Sequence, residues 1–274
     1  MRAVLYAYCE VSALHRDNFR YFVAHGLHCV DTHVVVIVNG EATEPMPPTS
    51  ATCTVLHRPN TGFDFGGWAA GLEVLARHAY SHFVFLNASC RGPCLPGYLR
   101  PPVDWVSLFC SKLTGSVKCV GPTINIYKFW AVCQPHVQTY AWAVDGPTLQ
   151  ALWDHGLFRF RANTKVDAIV VQEIGVSSFV LGRGWDIACF VREYDAVASY
   201  HPANEAQLRS FNPAADATHG DIAYHGPACF GRILDGHELL FLKNTRGWVL
   251  CRSPQVPAAA APSGSPENPR AEDK

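Results

Sequence analysis

Charged residues are scarce in this sequence of 274 residues: only 16% are Asp, Glu, Lys or Arg, and the formal net charge is −1. The Lys and Arg residues are scattered, whereas a nucleic-acid-binding surface needs clustered positive charge, so nucleic acid is not a predicted partner. With 49% hydrophobic residues the chain can bury a sizeable core. We predict one domain over residues 1–252 and a disordered tail rich in Pro and Ala over residues 253–274.

Long apolar runs are also missing. No stretch of about 18 uninterrupted apolar residues occurs, so no membrane span is predicted. The first apolar run is short and polar residues follow it at once, which does not fit a signal peptide. These absences predict a cytoplasmic protein. If an N-terminal anchor is missing from this sequence, the Golgi lumen is the alternative.

The sequence has eleven cysteines but no Cys-x-x-Cys motif, and the only close pair is Cys90 and Cys94. Most of the cysteines lie in apolar runs, where a free thiol behaves as a small hydrophobic side chain. A zinc site needs four ligands at workable spacing, and the sequence offers no convincing set. We therefore predict reduced, structural thiols.

Two common functional motifs are absent. No Gly-x-x-x-x-Gly-Lys-Ser/Thr phosphate loop occurs, and Gly182-Arg183-Gly184 ends a predicted helix instead of following a strand, as a dinucleotide site would require. A nucleophile elbow needs Gly two residues before and after its serine, but Asn87 and Arg91 flank Ser89 at those positions. A serine hydrolase is therefore disfavoured.

What the sequence does have is an alternation of strand and helix patterns. Strand patterns occupy residues 3–8, 33–38, 52–57 and 83–86, and helical patterns lie between them, for example over residues 11–25. Further strands are predicted at 118–123, 137–144 and 185–191, and further helices at 105–113, from 145 to about 155, and at 165–181. The alternation predicts an α/β fold with a mostly parallel sheet flanked by helices.

The strand at residues 83–86 is apolar throughout, as expected for a strand covered on both faces. Short polar residues, Asn87-Ala88-Ser89, follow it directly. Ligands of open α/β sheets bind outside the carboxyl ends of the strands. We therefore expect a ligand site at this end.

A glycine-punctuated segment, NTGFDFGG, lies between a predicted strand and a predicted helix at residues 60–67. Glycines there let the backbone approach a ligand, and a helix N-terminus favours phosphate. Asp64 could accept a hydrogen bond from a ribose or sugar hydroxyl. The alternative is a plain turn in which Asp64 caps the helix.

Four segments, in this order, resemble bacterial rhamnan synthesis protein F and related GT-A-type glycosyltransferases. They are NTGFDFG (60–66), LNASCRGP (86–93), HVQTYAWAV (136–144) and QEIGVSSFVLGRGW (172–185). The resemblance covers residues 5 to about 190, and it implies a GT-A-like, Rossmann-like domain. It also implies a hexosyl- or deoxyhexosyltransferase that takes a nucleotide-sugar donor and a saccharide acceptor.

The glycine-punctuated segment, the end of the strand at 83–86 and the resemblance together predict roles for particular residues. The residues implied to bind the donor are Asn60, Gly62, Asp64, Gly66, Gly67, Asn87, Ser89 and Arg91. Those implied to line the acceptor cleft are His136, Gln138 and Ser177.

Many GT-A enzymes hold Mn²⁺ or Mg²⁺ with an Asp-x-Asp at the end of this strand, and the ion neutralises the leaving diphosphate. The resemblance implies such an ion, but the triplet here is Asn87-Ala88-Ser89 and has no carboxylate. Arg91 could supply a positive charge to the diphosphate instead. The alternative is that Arg91 is a solvated loop charge.

Sugar transfer to a hydroxyl needs a base in an inverting enzyme. Glu173 lies in an apolar segment where burial could raise its pKa, and we take it as the first candidate. Asp145 is the second candidate, although helix capping explains it equally well. Because the Asp-x-Asp is missing, a catalytically silent protein that binds nucleotide sugar or glycan is the alternative function.

Overall fold

A computed structural model describes residues 1–96, 98, 103–129, 132–204, 206–208, 230 and 232–245. The predicted tail, residues 253–274, lies outside these residues. In chain order the elements are β1 (Arg2–Tyr8), α1 (Ala13–His25), β2 (Thr32–Asn39), β3 (Cys53–Arg58), α2 (Phe63–Glu73), β4 (His82–Asn87), β5 (Cys90–Arg91), α3 (Trp105–Cys110), β6 (Val117–Gly121), β7 (Ile124–Phe129), β8 (Val132–Val137), β9 (Ala141–Asp145), α4 (Gly146–His155), α5 (Lys165–Asp167), a π-helical segment (Ala168–Glu173), α6 (Ile174–Gly182), β10 (Asp186–Cys189), α7 (Gly236–Leu239) and β11 (Leu242–Lys243). Short 3₁₀ turns lie at Arg77–Ala79, Arg192–Ala196 and Pro202–Asn204.

Seven strands form the central sheet, in the order β10-β6-β9-β4-β1-β2-β3. Strands β1 to β4 are parallel, β10 is parallel to β6, and β9 runs antiparallel between β4 and β6. The prediction of an α/β fold with a mostly parallel sheet flanked by helices is therefore confirmed. Two small antiparallel pairs, β5 with β11 and β7 with β8, lie outside this sheet.

Both faces of the sheet are covered, which explains the uninterrupted apolar runs of the central strands. On one face, Leu5, Phe83 and Phe85 pack in a cluster with residues of α2, α4 and α6. On the other face, Val84 and Leu86 join a cluster with residues of α1 and α3. Polar groups are thereby concentrated at the strand ends.

Residues 137–144 do not form the single strand that the sequence predicts. β8 ends at Val137 and pairs with β7, whereas β9 begins at Ala141 and inserts between β4 and β6. The chain must change pairing partners between these strands, so residues 138–140 leave the strand conformation. The predicted helix at 165–181 is likewise interrupted, by the π-helical segment Ala168–Glu173.

Candidate functional site

The carboxyl ends of the parallel strands β1 to β4 meet at one edge of the sheet. Asn87 is the last residue of β4 and lies in register with Ala7 of β1. Its backbone N–H donates to the carbonyl of Tyr140, 3.0 Å away, the residue directly before the antiparallel β9. The end of β4 is therefore bounded by β1 on one side and by the residues before β9 on the other.

Helix α2 carries Asp64 to this edge. Trp68 is fully buried, and its indole N–H donates to the carbonyl of Leu86, 3.1 Å away. Residues four apart on a helix share one face, so anchoring Trp68 beside Leu86 brings Asp64 over the next residue of β4. The amide Nδ2 of Asn87 donates to Asp64 Oδ2 at 2.7 Å.

Two of the predicted donor-binding glycines lie in tight packing contacts. A Cβ on Gly67 would lie 2.8 Å from Nδ2 of Asn39, and a Cβ on Gly66 would lie 2.3 Å from the carbonyl oxygen of Thr61. Gly62, which precedes α2, has φ of 74° in the left-handed region that favours glycine. The glycines at these positions thus allow α2 to pack closely against the ends of β2 and β3.

Asn87 and Ser89 form a small closed network. Both the backbone N–H and the hydroxyl of Ser89 bond to Oδ1 of Asn87, at 3.0 and 2.6 Å. A backbone N–H can only donate, so the oxygen of the Asn87 amide must face Ser89 and its NH₂ group must face Asp64. The end of β4 therefore presents an amide donor where an Asp-x-Asp motif would present a carboxylate.

The carboxyl of Asp64 is half-buried, and burial raises its pKa from the ordinary 3.8 to about 6. The negative charge of Glu173 raises the pKa further, whereas the bond from Asn87 and the charge of Lys243 lower it. Asp64 therefore changes charge near neutral pH, as functional carboxyls often do.

Glu173 is held at the same edge from the other side. It ends the π-helical segment, a conformation that is frequent at functional sites. Its neighbour Gln172 is fully buried and donates to the carbonyls of Leu157 and Phe160, at 3.3 and 3.1 Å. These bonds fix the turn from which Glu173 extends.

Oε2 of Glu173 accepts the backbone N–H and the hydroxyl of Thr139, at 3.0 and 2.8 Å. The sequence predicts that burial raises the pKa of Glu173, and the structure gives the opposite result. Burial does act in that direction, but the charges of Lys243 and His136 and the two bonds from Thr139 outweigh it and lower the pKa. Glu173 is therefore ionised at neutral pH.

His136 and Ser177 lie close to this carboxylate in the fold. His136 is buried, its Nδ1 is 2.9 Å from the carbonyl of Gln134, and its charge acts on Glu173. Ser177 is fully buried and accepts the backbone N–H of Val137 at 3.0 Å. That bond holds α6 against β8, so the Ser177 hydroxyl acts in the packing behind the site.

Gln138 and Asn60 have partners of their own. Oε1 of buried Gln138 accepts the hydroxyl of Thr123 at 2.7 Å. Asn60 is exposed after β3, and its Nδ2 lies 3.3 Å from Sγ of Cys9, which follows β1. Asn60 therefore lies at the same edge of the sheet as Asn87, but on the β1 and β3 side.

Asp145 does not join these residues. It is in register with His82, the first residue of β4, and thus lies at the opposite edge of the sheet from Asn87. Its carboxylate accepts the N–H of Thr148 at 2.8 Å and lies 3.1 Å from Nζ of Lys118. The sequence predicts Asp145 either as a base or as a helix cap, and its contacts match the cap of α4.

Arg91 extends away from Asp64 and Glu173. Its guanidinium carbon lies 4.2 Å from the ring centroid of Tyr21 on α1, in a cation–π contact. Neighbouring residues of a strand point to opposite faces, so Arg91 and Cys90 project in opposite directions from β5. The residue on β11 that pairs with Cys90 is Lys243.

Lys243 is the site residue that sequence reasoning missed. Its ammonium lies 5.5 Å from the ring centroid of Tyr140 and lowers the pKa of both Asp64 and Glu173. The pairing of β11 with β5 brings it to the end of β4, and the sequence around Lys243 does not predict that contact.

A Mn²⁺ or Mg²⁺ ion requires several oxygen ligands, preferably carboxylates. The end of β4 instead offers the Asn87 NH₂ group, the ammonium of Lys243 and Asp64, whose Oδ2 already accepts from Asn87. Within the part of the chain that the structure describes, no group of three or more His, Cys, Asp or Glu residues could hold a metal ion. The residues at this strand end do not fit the implied ion.

Among the helices of the described residues, none has the length and apolar character needed to cross a membrane. No protein-family model and no curated protein matches the sequence.

Several solved structures have a similar fold, and the following three are glycosyltransferases. The mannosyltransferase PcManGT from Pyrobaculum calidifontis, solved with GDP-Man and Mn²⁺, is 13% identical, with a TM-score of 0.44 over 79% of this chain and 76% of that one. A glycosyltransferase involved in glycosylation of the major capsid of PBCV-1 is 11% identical, with a TM-score of 0.39 over 76% and 98%. GlyE of Streptococcus pneumoniae TIGR4 is 10% identical, with a TM-score of 0.38 over 79% and 52%. At such values, the activities of those proteins do not transfer to this chain.

Proposed function

We propose that this protein is a glycosyltransferase that moves a sugar from a nucleotide-diphosphate donor to a saccharide hydroxyl. The observation that carries the proposal is the meeting of Asp64, Asn87 and Glu173, from three separate segments, at the carboxyl edge of a mostly parallel sheet. In α/β sheets that edge is the usual place for ligands.

On the donor side, Asp64 accepts a hydrogen bond from a hydroxyl of the ribose or of the transferred sugar. Its second oxygen is held by Asn87, at 2.7 Å, which fixes the direction of the carboxyl group. The left-handed Gly62 and exposed Asn60 border this position from the β3 side. We therefore expect the donor to lie along the carboxyl ends of β4, β1, β2 and β3, which are neighbours in that order.

On the acceptor side, Glu173 takes the proton from the attacking hydroxyl. The acceptor oxygen forms a bond to the anomeric carbon, the bond from that carbon to the diphosphate oxygen breaks, and the nucleoside diphosphate leaves with the electron pair. Thr139 orients the carboxylate through two bonds to Oε2. Because its pKa is lowered, Glu173 is ionised and can accept a proton over the whole neutral range.

The experiment is to incubate the protein with UDP-, GDP- and dTDP-sugars and saccharide acceptors, with and without Mn²⁺, and to measure the released nucleoside diphosphate. We expect release with at least one donor, and its loss in Glu173→Gln. Glu73→Gln, at the exposed end of α2, is the matched control and should keep the wild-type rate. Full activity of Glu173→Gln would remove Glu173 as the base.

A catalytically silent protein that binds nucleotide sugar or glycan is the second candidate. The specific observation in its favour is the Asn87-Ala88-Ser89 triplet, whose amide donates to Asp64 and leaves the β4 end without the usual carboxylates. Donor binding without release of nucleoside diphosphate from any donor and acceptor pair would favour this candidate.

A further inference from the structure

A diphosphate at the end of β4 needs nearby positive charge, because Asp64 and Glu173 both bring carboxyls to this edge. Lys243 lowers the pKa of both carboxyls. The leaving group in the proposed reaction is an anion, and its developing charge must be stabilised. The ligand chemistry of the strand end does not fit a divalent cation, and Arg91 is stacked on Tyr21.

Lys243 occupies a well-fixed position beside this strand end. β11 pairs antiparallel with β5, so Lys243 lies opposite Cys90, three residues beyond Asn87. The next residue, Asn244, donates its backbone N–H to the carbonyl of Ser89 at 3.3 Å. The backbone on both sides of the lysine is thereby tied to the turn that follows β4.

A buried asparagine locks this arrangement to the first helix. Asn18 on α1 is fully buried, and its Nδ2 donates to the carbonyl of Ala88 at 2.9 Å and to Oδ1 of Asn244 at 2.8 Å. Asn244 returns a bond of 2.8 Å to Oδ1 of Asn18. Residues 226 positions apart in sequence are thus joined, and their bonds hold β11 against the β4 turn.

We propose that Lys243 supplies the positive charge that stabilises the leaving diphosphate, in the place where a GT-A enzyme with an Asp-x-Asp motif uses a metal ion. This role rests on the proposed function, because it assigns to Lys243 the stabilisation of the diphosphate that leaves in the sugar transfer. The lysine ammonium is a compact point charge of the kind that binds phosphate, and it lies over Tyr140, next to the end of β4. Donor binding should therefore not need a divalent cation.

Calorimetric titration of the full chain in EDTA tests this, with UDP, GDP and dTDP as probes and the corresponding nucleosides as references. We expect the wild type to bind one of the diphosphates and Lys243→Met to bind it about 10- to 100-fold more weakly, with the affinity for the nucleoside unchanged. Lys243→Arg, which keeps the charge, should stay within a few fold of the wild type. Lys165→Met, an exposed lysine at the start of α5, is the matched control.

The outcomes separate this proposal from the proposed function. If the wild type binds a diphosphate but Lys243→Met binds it equally well, the role of Lys243 is refuted and the function stands. The same holds if the wild type binds only after Mn²⁺ is added. If the wild type binds no nucleoside diphosphate with or without Mn²⁺, both proposals fail. The melting temperature of Lys243→Met checks that a loss of binding is not a loss of fold.

Discussion

Replacing Asp64 by Asn should change the pH dependence of stability in a defined direction. Burial raises the folded-state pKa of Asp64 to about 6, above its ordinary value of 3.8. Between these values the folded protein holds a proton that the unfolded chain has lost, so the Asp64 carboxyl stabilises the fold at low pH and this contribution is lost as pH rises through 6. Asn has no proton to lose and keeps an oxygen that can accept from Asn87.

The size of the effect follows from the shift of about 2 pKa units, at about 1.4 kcal/mol per unit. The wild type should lose about 3 kcal/mol of stability from this one group between pH 3 and pH 8, and about 2 kcal/mol of that between pH 4.5 and pH 8. The stability of Asp64→Asn relative to the wild type should therefore rise by about 2 kcal/mol between pH 4.5 and pH 8.

Denaturant unfolding of both proteins at the two pH values measures this difference directly. Asp104→Asn is the control, a carboxyl whose pKa is lowered instead of raised. Burial would raise the pKa of Asp104, but bonds from Ser107 and Arg2 outweigh it and lower the pKa. The contribution of its charge changes only below the ordinary pKa of 3.8, so the stability of this variant relative to the wild type should stay nearly constant between pH 4.5 and pH 8. A relative stability of Asp64→Asn that does not change with pH would refute the reasoning.

Further predictions concern the base, the helix approach and the packing behind the site. Glu173→Gln should lower kcat by about 100- to 10,000-fold while calorimetry finds donor affinity unchanged. Gly67→Ala places a Cβ 2.8 Å from Nδ2 of Asn39 and should lower the free energy of unfolding by about 1–3 kcal/mol, whereas Gly182→Ala, where a Cβ meets nothing within 4 Å, should not lower it. Ser177→Ala leaves the buried N–H of Val137 without its acceptor, so the free energy of unfolding should fall by about 1–3 kcal/mol while kcat stays unchanged. A drop in kcat without a loss of stability would instead support the predicted place of Ser177 in the acceptor cleft.

The parallel core of the fold was predictable because its signals are local. β1, β2 and β4 are short apolar runs, and helical patterns separate β1 from β2 and β3 from β4. The β7–β8 hairpin was not predicted: Pro135 lies within β8, where proline normally argues against a strand, and no Asn-Gly or Asp-Gly turn joins the two.

The site was predictable only in part, because only some of its residues lie in segments with a local sequence signal. Asp64 and Asn87 lie next to a helix start and a strand end that the sequence pattern marks, and Glu173 lies within a predicted helix. The structure brings the three together. Lys243 reaches them through a two-residue strand pairing, far from any motif. The lowered pKa of Glu173 could not be predicted either, because it depends on this lysine and on the bonds from Thr139.

The most direct test of the account is an experimental structure of the protein with a bound nucleoside diphosphate. We predict that the diphosphate lies at the end of β4, within hydrogen-bonding distance of Nζ of Lys243, with Asp64 facing the ribose or sugar and Glu173 open to the acceptor. A nucleotide bound at the opposite edge of the sheet, near Asp145, or a diphosphate out of reach of Lys243, would contradict it.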